Sequence, residues 1–322
     1  MGAQPQVPAW VFRGPMLPTA GPPPTGSGFA VEIKWDGMRA LVVAGREGVR
    51  LISRSGRDVT SSFPELRALG DVVGGHRGVL DGEIVALGGS GQPDFVRLQN
   101  RIHRTRPAAS LLRDVPVRLY LFDLLWLDGV DLLQTSYVDR RQQLTGLGLD
   151  HGPIRVPAYY TDISPAELLE IAAQLRLEGI VAKRLTSHYV PGRRSLEWIK
   201  TVIRTHADVV IGGWVPGSGR YRHVVGSLLV GLYDEAGALR YVGNVGTGFS
   251  DHNRQALAAG LDEISRPASP FADAVPREFV GYARWVEPVV IAEVAYRERT
   301  DDGRLRHPTF RRIVAPEDDL PT

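Results

Sequence analysis

The chain has 322 residues, 43% of them hydrophobic, and a formal net charge of +2, enough for a sizeable core and roughly two domains. There are no cysteines, which excludes disulfides, thiolate metal sites and cysteine nucleophiles and makes the cytoplasm the default compartment. No apolar run approaches the ~20 residues of a membrane span, the N-terminus lacks the pattern of a signal peptide, and the small net charge excludes a polycation, so any nucleic-acid surface must be a local patch.

Residues 1–28 are rich in Pro, Gly and small side chains, including Gly21-Pro-Pro-Pro24, and read as an irregular lead-in. Strands are predicted at Phe29–Ile33, Arg39–Val43, Val49–Ile52, Gly78–Ala86 and Val117–Leu125, the first two bracketing a turn at Lys34–Gly37. Helices are predicted at Phe63–Leu69, Asp94–Arg101 and Ser164–Leu177; the last opens with Ser164, Pro165 and Glu167, a capping-box order. Residues 29–203 therefore read as a mixed α/β (α+β) domain with antiparallel sheets, because short turns join many of the strands. Beyond Val202–His206 the texture is strand-rich: Ala207–Trp214, Ser227–Tyr233 and Leu239–Val245, a helix at His252–Ile264, and a final strand at Val289–Arg297. For residues 204–322 this pattern suggests a small Greek-key β-barrel, with the OB-fold as best candidate.

Three lysines, Lys34, Lys183 and Lys200, stand among thirty-five arginines. Arginine is effectively always protonated, whereas a lysine can lose its proton and act as a nucleophile. Lys34 sits at a strand end in Lys34-Trp-Asp-Gly-Met-Arg39; cations gathered around a triphosphate would make its amine easier to deprotonate. Glu83, in Leu80-Asp-Gly-Glu83, and Glu178, in Glu178-Gly-Ile-Val-Ala-Lys183, lie beside apolar strands. Two separated glutamates suit Mg²⁺, which takes a few carboxylates together with phosphate oxygens and water. Phe122 is expected to alternate onto one face with Tyr120 and Leu124, as core or, beside a nucleotide, as a stacking ring.

Taken in order, Lys34-Trp-Asp-Gly-Met-Arg39, Ser53-Arg54-Ser-Gly56, Leu80-Asp-Gly-Glu83, Phe122 in Leu-Phe-Asp-Leu, Glu178–Lys183 and Trp198-Ile-Lys200 resemble the collinear motifs of covalent nucleotidyltransferases. The whole chain resembles the bacterial ATP-dependent DNA ligases, and within them the compact ligases and the ligase module of double-strand-break repair. Ser227–Asp234, Tyr241–Phe249 and Gly303–Phe310 resemble that family's OB domain. The resemblance implies an adenylation domain over 29–203 and an OB domain over 204–322. It also implies ATP and a divalent metal (Mg²⁺ or Mn²⁺) as cofactors, nicked or broken duplex DNA as substrate, and a Ku-like end-binding protein as a partner to consider. A monomer in the cytoplasm, at the nucleoid, is expected. By similarity Lys34 is the nucleophile, Glu32 and Phe122 position adenine, and Arg39 and Arg54 contact ribose or phosphate. Glu83 and Glu178 serve ribose and metal, and Lys183 and Lys200 neutralise the α-phosphate.

Two departures from the family pattern matter. Val202 stands where the family usually has a second lysine, with Arg204 as candidate replacement. After Phe310 the usual Arg-x-Asp-Lys element is replaced by Arg311-Arg-Ile-Val-Ala-Pro-Glu-Asp-Asp319. Either Arg306, Arg311 or Arg312 substitutes for it, or the first step is slow and pre-adenylated ends are favoured. Arg101–Arg106 and Arg220–His223 are candidate DNA patches, and no helical DNA-binding domain is expected ahead of the adenylation domain. The alternatives are an RNA ligase, a capping guanylyltransferase, or a catalytically weakened end-binding homologue.

Overall fold

The computed structural model describes residues 8–45, 48–89, 91–300 and 302–314, and the chain divides between Ile203 and Arg204 into two compact units. The first unit contains strands β1 (Leu17–Ala20), β2 (Phe29–Ile33), β3 (Met38–Gly45), β4 (Gly48–Ser53), β5 (Gly78–Ala86), β6 (Val117–Leu127), β7 (Val130–Asp131), β8 (Ile154–Arg155), β9 (Gly179–Arg184) and β10 (Arg194–Val202). Its helices are α1 (Leu69–Val72), α2 (Phe95–Gln99), α3 (Ala109–Asp114), α4 (Tyr137–Gly146) and α5 (Pro165–Gln174).

The strands form two sheets, one of order β1-β10-β9-β2 and one of order β4-β3-β5-β6-β7 with β8 beside β6. In the smaller sheet β2, β9 and β10 are antiparallel, and Lys183 lies opposite both Ala30 and Trp198, Val181 opposite Glu32 and Lys200. Because side chains alternate along a strand, Glu32, Val181, Lys183, Trp198 and Lys200 share one face. The opposite face, with Val31 and Ile180, packs on Leu168 and Ala172 of α5. That helix starts with Pro165 and the reciprocal Ser164–Glu167 capping box, as its sequence predicts.

The larger sheet buries Ala40, Val42, Leu80, Leu119, Leu121 and Leu124 on one side, with Phe63 and Leu66. On the other, Leu41, Ile52, Val79 and Leu125 join Val11, Met16, Tyr137, Tyr189 and Trp198 in a second core. The lead-in is therefore not irregular throughout. Ala9–Arg13 forms a 3-10 helix and β1 adds a parallel edge strand to β10. Burial of Val11 and Met16, about 1.5–3 kcal/mol each, fixes it, and Pro18 is tolerated because an edge strand leaves backbone N–H groups without a ladder role.

The helical stretch expected at Phe63–Leu69 is a 3-10 helix, Pro64–Ala68, that runs into the one-turn α1. One further expectation is corrected. In β6 the pairing with β5 jumps from Asp81–Asp123 to Gly82–Leu121. Phe122 is the extra residue of a β-bulge, and such a residue re-aims its side chain. Leu124 goes to the core with Leu119 and Leu121, whereas Phe122 faces the site, so the two do not share a face.

The second unit contains β11 (Thr205–Pro216), β12 (Val225–Tyr233), β13 (Leu239–Val245), α6 (Asp251–Glu263), β14 (Ser265–Arg266), α7 (Arg277–Val280), β15 (Arg284–Tyr296) and β16 (Thr309–Val314). The predicted final strand thus begins earlier, at Arg284, and β16 follows it. The sheet runs β13-β12-β11-β15-β14 with β16 on β15. A bridge between Thr247 and Thr309 ties the end beyond β13 to β16, curling the sheet into the barrel of an OB-fold. Ala258 and Leu261 of α6 pack into its core with Trp214, Leu228 and Val294. No helix among the described residues is long and apolar enough to cross a membrane.

Candidate active site

Lys34 follows β2 directly, and its backbone N–H donates to Gly179 O at 2.8 Å, extending the β2–β9 ladder by one residue. This sets the Lys34 ammonium against the Glu178 carboxylate, with which it pairs. Two glycines make the approach possible. Gly179 has φ +145°, and a Cβ there would lie 2.1 Å from Thr201 O. A Cβ on Gly37 would lie 2.1 Å from Ile84 O, so the Lys34–Gly37 turn can lie flat against β5, next to Glu83.

A pocket opens beside Lys34, lined by Pro18, Glu32, Trp35, Arg39, Glu83, Phe122, Lys183 and Trp198 among others. At its inner end Glu32 is buried. It accepts a hydrogen bond from the Tyr137 hydroxyl, pairs with Lys183 Nζ at 2.7 Å, and lies 3.5 Å from Arg141 Nε. Lys183 is enclosed by the rings of Trp198, Phe122 and Tyr137 at 4.4, 4.6 and 4.9 Å. Burial pulls its ammonium below the ordinary lysine range, with Glu32 opposing. Lys183 is thus paired with Glu32 at the inner end of the pocket.

The larger sheet forms the facing wall. Arg39 lies opposite Glu83 on β5, and its guanidinium grips Asp81 bidentately, Nε–Oδ1 2.6 Å and Nη2–Oδ2 2.7 Å. It also sits 4.6 Å from the Phe122 ring. Asp81, fully buried, accepts as well from the Tyr189 hydroxyl at 2.5 Å. Nε and Nη2 of Arg39 are therefore engaged by protein, and its guanidinium is held along the pocket wall. Burial pushes the Glu83 carboxyl up to about 8; Arg39 and Lys34 oppose the rise, and Glu178 and Asp81 add to it. The mutual influence of Glu83 and Glu178 across Lys34 is the environment a divalent cation would relieve. Among the described residues no cluster of three or more His, Asp or Glu is assembled for a metal, so the two carboxylates fit an ion that completes its shell with phosphate oxygens and water.

Lys200 occupies the outer end. Burial first, then Lys34 and Arg194, hold its ammonium below the ordinary lysine range, and Arg54 contributes in the same direction. Lys200, Arg54 and Arg194 thus gather at one end of the site, next to Lys34. Val202 lies opposite Gly179, on the same face as Lys200, so the position of the missing lysine faces the site and carries no charge. The candidates beyond residue 203 lie on the second unit and are not together. Arg204, which donates to Thr309 Oγ1 at 3.0 Å, and Arg306, paired with Glu298, line one groove. Arg311 and Arg312 line another, and Arg312 pairs with Glu293 at 2.7 Å. Ala315–Asp319 lie outside the described residues. Of the basic patches, Arg101 is withdrawn from any surface role: it is fully buried and bonded to Val115 O, Ser62 O and Glu65. Asp81, Tyr137, Arg141 and Tyr189 belong to the site's supports; Asp81 lies in the Leu80–Glu83 motif without a role of its own there, and for the others the one local signal is Tyr137 and Arg141 spaced one helical turn apart.

A lysine amine beside two carboxylates, a cationic outer rim and an aromatic pocket ending in a carboxylate define a site for transfer of a nucleotidyl group to lysine. Residues 23–201 match the ATP dependent DNA ligase domain and residues 221–315 the ATP dependent DNA ligase C terminal region. The chain belongs to the ATP-dependent DNA ligase family. The multifunctional non-homologous end joining protein LigD of Mycolicibacterium smegmatis is 41% identical over 283 residues, 88% of this chain and 35% of that protein, so the chain spans about a third of that relative's length. The crystal structure of the ligase domain from M. tuberculosis LigD shares 40% identity with a TM-score of 0.55, covering 94% of each chain. A mycobacterial DNA ligase D complexed with ATP and MES shares 39% with a TM-score of 0.54, covering 95% of each.

Proposed function

We propose that the chain is an ATP-dependent DNA ligase that seals 5′-phosphate/3′-hydroxyl nicks or ends in duplex DNA during break repair, as a cytoplasmic monomer. The observation that carries this reading is the Lys34 amine held against Glu178 at the mouth of a pocket that ends in Glu32. In the first step the Lys34 nitrogen attacks the α-phosphorus of ATP; a P–N bond forms as the bond to pyrophosphate breaks. The AMP then passes to the 5′-phosphate of the DNA and frees Lys34, and attack by the 3′-hydroxyl on that phosphate expels AMP. Phosphoryl chemistry of this kind depends on in-line positioning and charge stabilisation.

Glu32 and the Phe122 ring hold the base. Arg39, clamped by Asp81, presents its charge along the pocket wall. Lys200, with Arg54 at the outer end, neutralises phosphate oxygens, while Lys183 serves Glu32. Glu83 and Glu178 would hold Mg²⁺ or Mn²⁺, which when bound supplies further neutralisation of phosphate charge. A Ku-like end-binding protein is the partner this reading proposes for delivery to broken ends.

The test is intact-mass spectrometry after incubation with ATP and Mg²⁺ or Mn²⁺, followed by transfer to nicked DNA. A species heavier by one AMP, absent from Lys34→Ala and discharged by nicked duplex, supports the reading. Labelling by GTP alone, or discharge only to RNA, refutes it.

A further inference from the structure

The Glu32 carboxylate does not rest on its own strand. Its partners come from β9 and, over a hundred residues away in sequence, from α4. One oxygen accepts from the Tyr137 hydroxyl and faces Arg141 Nε at 3.5 Å. The other faces Lys183 Nζ at 2.7 Å. Tyr137 and Arg141 are four residues apart, so they project from the same side of the helix.

Both are themselves fixed. Tyr137 is fully buried and meets Tyr159 and Trp198 edge-on, each at 6.3 Å. Arg141 lies 4.8 Å from the Tyr159 ring, and its Nη2 donates to Pro157 O. The helix carrying them is capped by Ser136, which accepts from Asp139 N. It is pinned to β6 by the buried Arg140–Asp123 fork, at 2.7 and 2.9 Å. Tyr137 does not line the pocket, whereas Glu32 does; anything Tyr137 does to a nucleotide passes through Glu32.

We infer that Tyr137, supported by Arg141, is a positioning residue that sets the choice of purine by holding Glu32 as a fixed acceptor at the inner end of the pocket. The inference rests on the ATP-dependent reading above. A carboxylate donates nothing, so it pairs with the 6-amino group of adenine and repels the 6-oxo group of guanine or hypoxanthine. Rejection of the wrong partner is strong only when the acceptor cannot turn away, because a mobile carboxylate re-pairs with its own cations and relieves the clash. The Tyr137 bond removes that freedom.

The experiment measures lysyl–nucleotide formation by the full chain with ATP, inosine triphosphate and GTP, each labelled at the α-phosphate, for the native protein and Tyr137→Phe. The substitution keeps the ring and removes one hydrogen bond to a charged group, an effect of about tenfold. The expected result is an ATP KM raised about tenfold with kcat within about twofold, and an ATP-to-GTP preference lowered about tenfold. A purely structural role for Tyr137 would lower the melting temperature and leave that preference unchanged; this result overturns the inference while the ligase reading stands. If Tyr137→Phe does not fold, Arg141→Met takes its place: an unchanged ATP-to-GTP preference overturns the inference, and a lowered preference supports it. A native protein that takes no label from ATP overturns both.

Discussion

Replacing Asp81 by Asn tests whether the clamp on Arg39 holds the pocket wall. The substitution preserves shape and removes the charge that receives Nε and Nη2 of Arg39 at 2.6 and 2.7 Å and the Tyr189 hydroxyl at 2.5 Å. Asp81 is fully buried, while the Arg39 side chain keeps 18% of its surface. Breaking a buried pair from one side costs about 3–5 kcal/mol, and the residual exposure of Arg39 places this case near 3. For a unit of this size each kcal/mol moves Tm by about 2–4 °C, so a loss of roughly 6–12 °C is expected in the first-unit transition, recognised as the one that shifts when ATP is added. A double-mutant cycle with Arg39→Met isolates the pair. A coupling of about 2 kcal/mol or more, with a raised ATP KM in Asp81→Asn, is the predicted outcome. Coupling below about 0.5 kcal/mol with an unchanged KM refutes the clamp.

Gly179→Ala must place a Cβ 2.1 Å from Thr201 O at φ +145°; strand separation beside Lys34 should abolish self-adenylation and lower Tm, and a variant that adenylates normally contradicts the close approach. Glu83 retains its proton in the folded, nucleotide-free chain up to about pH 8, whereas an unfolded glutamate releases it near pH 4.3. The folded state thus binds more protons across that window, and its stability falls as pH rises through it. Because Glu83 is only partly buried, the loss is put at ~2 kcal/mol; Glu83→Gln should flatten the denaturation-versus-pH curve between pH 5 and 8, and an identical slope in both proteins excludes the effect. Binding to nicked duplex should weaken steeply with salt because phosphate contacts supply it; affinity that is flat between low and physiological salt would contradict this.

What the sequence revealed was whatever is local in the chain. Lys34 at a strand end, the alternation of β2 and the Ser164 cap are all written within a few neighbouring residues. The supports of the site are not. Asp81 meets Arg39 from 42 residues away and Tyr189 from 108, and Tyr137 meets Glu32 from 105; no short-range pattern announces such a pairing. The bulge at Phe122 has no compositional mark either, since one additional residue in an apolar strand looks like the strand itself. The lead-in departs from its sequence for the opposite reason: its prolines signal irregularity, but an edge strand accepts them, and the decisive residues, Val11 and Met16, are two apolar side chains among many.

The three lysines share one short sheet but live in three electrostatic surroundings, and this division suits the chemistry proposed for the site. Lys183 is buried among rings with a carboxylate of its own, so its charge is spent on fixing Glu32. Lys200 is half-buried among Lys34, Arg194 and Arg54, where an incoming polyphosphate would find several cations together. Lys34 alone sits between these ends, at the junction of the two sheets, in contact with Glu178 and close to Glu83. A nucleophilic amine needs that intermediate position: full burial against a dedicated counter-ion would hold it in place as a structural ion, and full exposure would leave it unoriented. Under the proposed mechanism, Val202, on the Lys200 face without a charge, would put more of the phosphate neutralisation on arginines at the rim, which cannot lose their protons and so could not compete with Lys34 as nucleophiles.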